Sequence, residues 1–231
     1  MIPIGDDRRP GFFAAATWAI VAVNVYAFYR ELTAPSAARF IDAYALVPYN
    51  ITHGVALGPP APQPYWLTIF SSTVVHGGFW HIAFNLLFLA VFAPLLERSM
   101  GHLKFVLFYL LCGLAGAAAQ IAAGPNSHVP EIGASGAIAG VLGAYIVRFP
   151  TNPIRTIVPI GCFPLFLRLP AVLVIGIWAA IQLANGIGRM DPHAEQGGVA
   201  YFAHIGGFAF GALASAVFEG RKRPRVRRTR T

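Results

Sequence analysis

Six apolar segments, each close to the length needed to cross a bilayer, constrain this chain more than any other feature. A hydrocarbon core of about 30 Å requires roughly 20 apolar residues per helical crossing. The segments run from about Phe12 to Tyr29, Gly78 to Leu96, Leu103 to Ala123, Ile132 to Phe149, Ala171 to Ile187 and Val199 to Phe218. Between the first two lies a long amphipathic connection, Arg30 to Ser72, broken by Pro35, Pro48, Pro59, Pro60, Pro62 and Pro64. Its apolar stretches are too short to span, so an interfacial or partly re-entrant loop is expected. Ile154 to Leu167 is apolar but interrupted by Pro159 and Pro164, and is expected to dip into the bilayer edge as a loop. The expected fold is all-α: a polytopic membrane protein with a six-transmembrane-helix bundle.

Charge supports lipid as the solvent. Only 11% of the 231 residues are charged and 56% are hydrophobic, against about 25% charged in a soluble domain. The net charge of +8 does not indicate nucleic acid, because seven of the 17 basic residues fall between Arg221 and Thr231. The chain therefore divides into a single membrane domain, 1–220, and a basic tail, 221–231. With the N-terminus inside, fourteen basic residues lie on the cytoplasmic side, and only Arg30, Arg39 and Arg189 lie outside. The positive-inside rule then places both termini in the cytoplasm, with the tail available to anionic lipid headgroups. The first apolar run is expected to be a retained span rather than a cleaved signal. Cys112 and Cys162 both lie in apolar segments with no metal spacing, and are expected to pack as small residues.

This topology gives spans two, four and six the same direction, each beginning at the outer face. Their first turns carry His76, His81 and Asn85 on span two, Gly133-Ala134-Ser135-Gly136 on span four, and Ala203-His204-Ile205-Gly206-Gly207 on span six. Polar groups at a common depth in lipid point to a site. Serine needs a base to become a nucleophile, and histidine has the right intrinsic pKa. Gly133, Gly136 and Gly140 on one side, and the Ala203, Gly207, Gly211, Ser215 face on the other, would let the two helix backbones approach. His81 and Asn85 share a helical face four residues apart. With the Ser135 backbone N–H they could receive an oxyanion. Glu97 and Glu219 lie at inner ends and Glu131 precedes span four, so a Ser135–His204 dyad is expected rather than a triad. No metal site is expected, since the spacing is not HExxH and no acidic partner is near.

These elements, Gly133-x-Ser135-Gly136, Ala203-His204-x-Gly206-Gly207 and His76-x4-His81-x3-Asn85, in this order and on these spans, resemble the rhomboid intramembrane serine proteases. The resemblance covers roughly Trp66 to Phe218, and Glu97-Arg98-x-x-Gly101 is similar to the family's short loop between spans two and three. It implies Ser135 as nucleophile and His204 as general base. It also implies His81, Asn85 and the Ser135 backbone as the oxyanion site, transmembrane segments of other proteins as substrates, and no cofactor. The chain departs from the pattern at Ala139, where many members carry an aromatic ring beneath the histidine, which leaves Phe202 or Tyr201 to replace it. It also lacks the first-loop Trp-Arg pair.

Two other classes fit less well. A non-proteolytic relative that binds membrane-protein clients would typically lack the serine or the histidine, whereas this chain has both. A small transporter would need paired broken helices or mid-span charges. The composition suggests a bacterial inner membrane.

Overall fold

The computed structural model describes residues 1–8, 11–55, 64–161, 163–188 and 200–219. The basic tail, Cys162, Arg189 and His193 lie outside the described residues. Six longer helices occupy the six expected segments: α1 (Ala15–Thr33), α5 (Phe79–Met100), α6 (His102–Ala123), α7 (Ser135–Arg148), α8 (Ala171–Gly188) and α9 (Tyr201–Ala214). The first connection holds three short ones, α2 (Ala37–Tyr44), α3 (Pro48–His53) and α4 (Thr68–Ser71). Among the described residues, α5 and α6 are long and apolar enough to cross a bilayer by length and composition; Ser135–Arg148, Ala171–Ile187 and Tyr201–Ala214 are shorter apolar helices.

The outer and inner faces of these helices differ in a way suited to lipid. Phe79, Trp80 and Phe84 on α5, Leu103, Leu107, Leu110 and Leu114 on α6, and Ile177 and Ile181 on α8 are exposed. The interior holds small residues instead. A Cβ placed on Gly207 of α9 would lie 2.0 Å from the Gly136 carbonyl oxygen of α7, and one on Gly211 would lie 2.0 Å from the Gly140 oxygen. On the facing helix, a Cβ on Gly143 would lie 2.1 Å from the Phe208 oxygen, and one on Gly140 would lie 2.3 Å from Cys112 Sγ of α6. The backbones of α7 and α9 therefore touch with no room for a methyl group. Lipid offers no hydrophobic drive for helix association, so this contact area is what holds the pair.

Two buried polar clusters fasten the periphery. Glu97, fully buried near the end of α5, accepts hydrogen bonds from the Ala16 and Thr17 backbone N–H groups at 2.9 and 2.7 Å and from Thr17 Oγ1 at 2.6 Å. It supplies the cap that α1 lacks in its own sequence, since Ala14 at the N-cap has no side-chain acceptor. At the same end, Tyr145 Oη and Asn152 Nδ2 each donate to Asp6 at 2.6 Å, and tie the N-terminus to α7.

The all-α expectation needs correction. The N-terminal strand β1 (Ile2–Asp6) pairs antiparallel with β2 (Pro153–Ile160), which pairs antiparallel with β3 (Phe163–Pro170). The segment expected as a loop at the bilayer edge is thus a β-hairpin. Its prolines argue against a strand, but Pro153 faces Pro170 and Pro159 faces Pro164. Bonded and non-bonded pairs alternate along an antiparallel ladder. Both proline pairs fall in the same alternate set, so the rings occupy pairs that need no N–H between β2 and β3.

Replacing Glu97 by alanine removes the partner of three buried donors and is expected to lower stability by about 2–4 kcal/mol. Thermal unfolding in detergent checks this, with Glu97→Gln expected to lose less.

Candidate active site

α7 begins at Ser135, and α9 carries His204 in its first turns, facing inward and buried. Because the two backbones touch, a one-carbon side chain reaches across: Ser135 Oγ lies 2.7 Å from His204 Nε2. The other imidazole nitrogen is also held, since His204 Nδ1 lies 2.7 Å from Gln182 Oε1 of α8. The ring faces Trp178, at 5.8 Å between centroids, and meets Tyr201 edge-on at 6.5 Å. Ala139 is buried and supplies no ring. Of the two rings expected to replace it, Tyr201 meets the imidazole, and Trp178 from α8 is an unforeseen second.

The turn before Ser135 brings the second pair of residues in. Gly133 has φ +112, in the range that favours glycine, and a Cβ there would lie 2.6 Å from His81 Nε2 and 3.7 Å from Asn85 Nδ2. Glycine at 133 is thus required by conformation and by the packing of His81 on the stretch of chain leading to Ser135. Its N–H donates to the Ser72 carbonyl at 2.8 Å. Asn85 is buried, and its Nδ2 has no hydrogen-bond partner among the described residues. A buried donor without an acceptor is costly, and it points into the site. Ser135, His204, His81, Asn85 and Trp178 line one cavity of about 330 Å³ with the aromatic rings of Trp80, Phe84 and Phe88. Among the described residues no group of three or more His, Cys, Asp or Glu could hold a metal ion. His76 lies behind the site: its ring meets His81 edge-on at 5.1 Å and its backbone N–H donates to Glu31 at 3.0 Å.

The Rhomboid domain family model matches residues 63–221, which include every residue of this cavity. The chain belongs to the rhomboid family. It is 31% identical over 134 residues to the rhomboid-family protein YdcA of Bacillus subtilis, covering 58% of this chain and 62% of that one. It is 32% identical over 154 residues to the rhomboid protease GluP of the same organism, covering 67% of this chain and 26% of GluP. Inactive rhomboid protein 1 of Drosophila melanogaster is 32% identical over 78 residues, which is 34% of this chain and 5% of that protein. The chain spans less than two thirds of the length of each of these relatives. Rhomboids are integral membrane proteins, in keeping with the apolar helices described above.

Two glutamines in this rhomboid carry no signal in a search for orienting acids. Gln182 is one. The other, Gln120 of α6, accepts the Ala203 backbone N–H at 3.0 Å and so caps α9 one residue before His204. It also lies close enough to Glu131, on the loop leading to Ser135, to favour that carboxylate's charged form. A lone polar side chain in an apolar span is a signal in itself, and it would have found both.

Burial pushes the Glu131 carboxyl up to about 8, against a smaller opposing effect from Gln120. A carboxyl raised in the folded state contributes stability fully present below its ordinary value of 4.5 and lost as pH rises through about 8. Thermal stability in detergent is expected to decline across that window, and Glu131→Gln to flatten the decline. Separately, Gly133→Ala is expected to displace His81 and abolish the site without unfolding the bundle, read by activity beside circular dichroism.

Proposed function

We propose that this rhomboid is an intramembrane serine endopeptidase that cleaves transmembrane segments of other membrane proteins. The observation that carries the reading is the 2.7 Å approach of Ser135 Oγ to His204 Nε2 inside a cavity that Asn85 also lines, its buried Nδ2 unpartnered among the described residues. His204 Nε2 takes the hydroxyl proton as Oγ attacks the scissile carbonyl carbon. The resulting oxyanion receives hydrogen bonds from Asn85 Nδ2, His81 and the Ser135 backbone N–H, where the α7 N-terminus adds a favourable dipole. His204 then returns its proton to the leaving amine, and a water activated by the same imidazole hydrolyses the acyl-enzyme. Asn85 supports this assignment because its buried amide already bears the cost of an unmade bond, which a substrate oxygen would relieve.

The same reading completes the topology. Six spans place the cavity near the outer face and both termini in the cytoplasm of a bacterial inner membrane. The 221–231 tail then lies against anionic lipid, and substrate helices enter laterally between α5 and α8. A second reading, a client-binding rhomboid without catalysis, draws on Ala139 and on the match to an inactive-named relative.

Cleavage of a generic transmembrane substrate in proteoliposomes separates the two. The protease reading expects cleavage by the native chain, none by Ser135→Ala or His204→Ala, and a kcat about 10²–10³-fold lower in Asn85→Ala. Undiminished cleavage by Ser135→Ala would sink it.

A further inference from the structure

His204 can act as a base toward Ser135 only with a lone pair on Nε2. The neutral ring must then carry its proton on Nδ1, and something must accept that proton to hold the tautomer and the ring plane. In a triad a carboxylate does this. Among the described residues, the groups that meet His204 are Ser135 from α7, His81 from α5 across the cavity, Tyr201 on its own helix, and Trp178 and Gln182 from α8. None of them is a carboxylate. One of them, the Gln182 amide oxygen, sits 2.7 Å from Nδ1.

Resting on the protease reading above, we propose that Gln182 is the positioning residue of this active site, a neutral third member that fixes the Nδ1–H tautomer of His204. With its oxygen turned to Nδ1, the amide can only accept there, which selects the Nδ1–H tautomer. The same amide cannot leave the pair with a buried negative charge when no substrate is present, which a carboxylate in this apolar layer would do at considerable cost. It holds the imidazolium formed during attack less strongly than a carboxylate would, because it offers a dipole and not a charge.

Trp178 and Gln182 are four residues apart, so they share one face of α8. That face supplies both the ring that packs on the imidazole and the acceptor that orients it. The missing ring at Ala139 is therefore compensated from a different helix. The histidine is oriented only while α8 is seated against α9, so displacement of α8 removes acceptor and ring together.

The test uses full-length protein with ¹⁵N-labelled histidine, reading the His204 tautomer by two-bond ¹H–¹⁵N correlations, and cleavage kinetics on the same samples. The His204 signal is identified by its loss in His204→Ala. The native chain is expected to show protonated Nδ1 and bare Nε2. Gln182→Leu is expected to give a mixed or reversed tautomer and a kcat roughly 100-fold lower at unchanged KM. Gln182→Glu is expected to restore the tautomer. Its carboxylate favours the imidazolium, so the acid limb of the pH–rate profile should move to higher pH. A purely structural role for Gln182 would leave the tautomer unchanged in Gln182→Leu. A native tautomer with undiminished kcat in Gln182→Leu, or an unmoved acid limb in Gln182→Glu, would overturn the proposal while leaving the dyad intact. Failure of the protease reading shows separately, as native-level cleavage by Ser135→Ala, and the tautomer readout still judges Gln182 in that event.

Discussion

The close approach of α7 and α9 governs everything else in this molecule. A single methyl group added at Gly207, Gly211 or Gly143 would overlap a backbone oxygen of the facing helix, that of Gly136, Gly140 or Phe208. A serine side chain is short. It reaches an imidazole on a neighbouring helix only if the helix axes are closer than ordinary side chains permit. The glycines are thus the condition for the Ser135–His204 hydrogen bond, and lipid is the solvent in which such faces associate by packing alone. α6 completes the arrangement through Gly116, the contact of Ala115 and Ala119 with Gly206 of α9, and the Gln120 cap, so α6, α7 and α8 all bear on the position of one histidine on α9.

The polar interior serves positioning, and among the described residues the buried carboxylates Asp6, Glu31 and Glu97 lie near the ends of their elements. Glu97 caps α1, Asp6 anchors the N-terminal strand to α7, and Glu131 sits beside Gln120 on the loop before Ser135. Among the described residues, the contacts around the imidazole itself are an amide, a hydroxyl and rings. This distribution follows from the medium: an isolated charge at depth is costly, whereas an amide with one satisfied bond is tolerated.

Much of this was legible in the sequence because membrane helices leave a strong signal. The six apolar segments became α1 and α5 to α9, with ends shifted by a few residues, as at α7, expected from Ile132 and observed from Ser135. Ser135, His204, His81 and Asn85 were readable as a group because polar residues in apolar segments are few, and the structure gathers the four around one cavity. The β-sheet was not legible. Four prolines in Pro153–Pro170 conceal a hairpin whose register alone makes them harmless, and β1 lies more than 140 residues from its partner. Gln182 and Trp178 were missed because a search for an orienting acid passes over an amide, and because α8 contributes no motif of its own.

The central claim is that Ser135 is a nucleophile activated by His204. Its most direct test is the intact mass of the native chain after treatment with a fluorophosphonate, followed by peptide mapping. The account predicts one adduct, on Ser135, that fails to form in His204→Ala. An unreactive Ser135 in folded native protein, or equal labelling without His204, would contradict it.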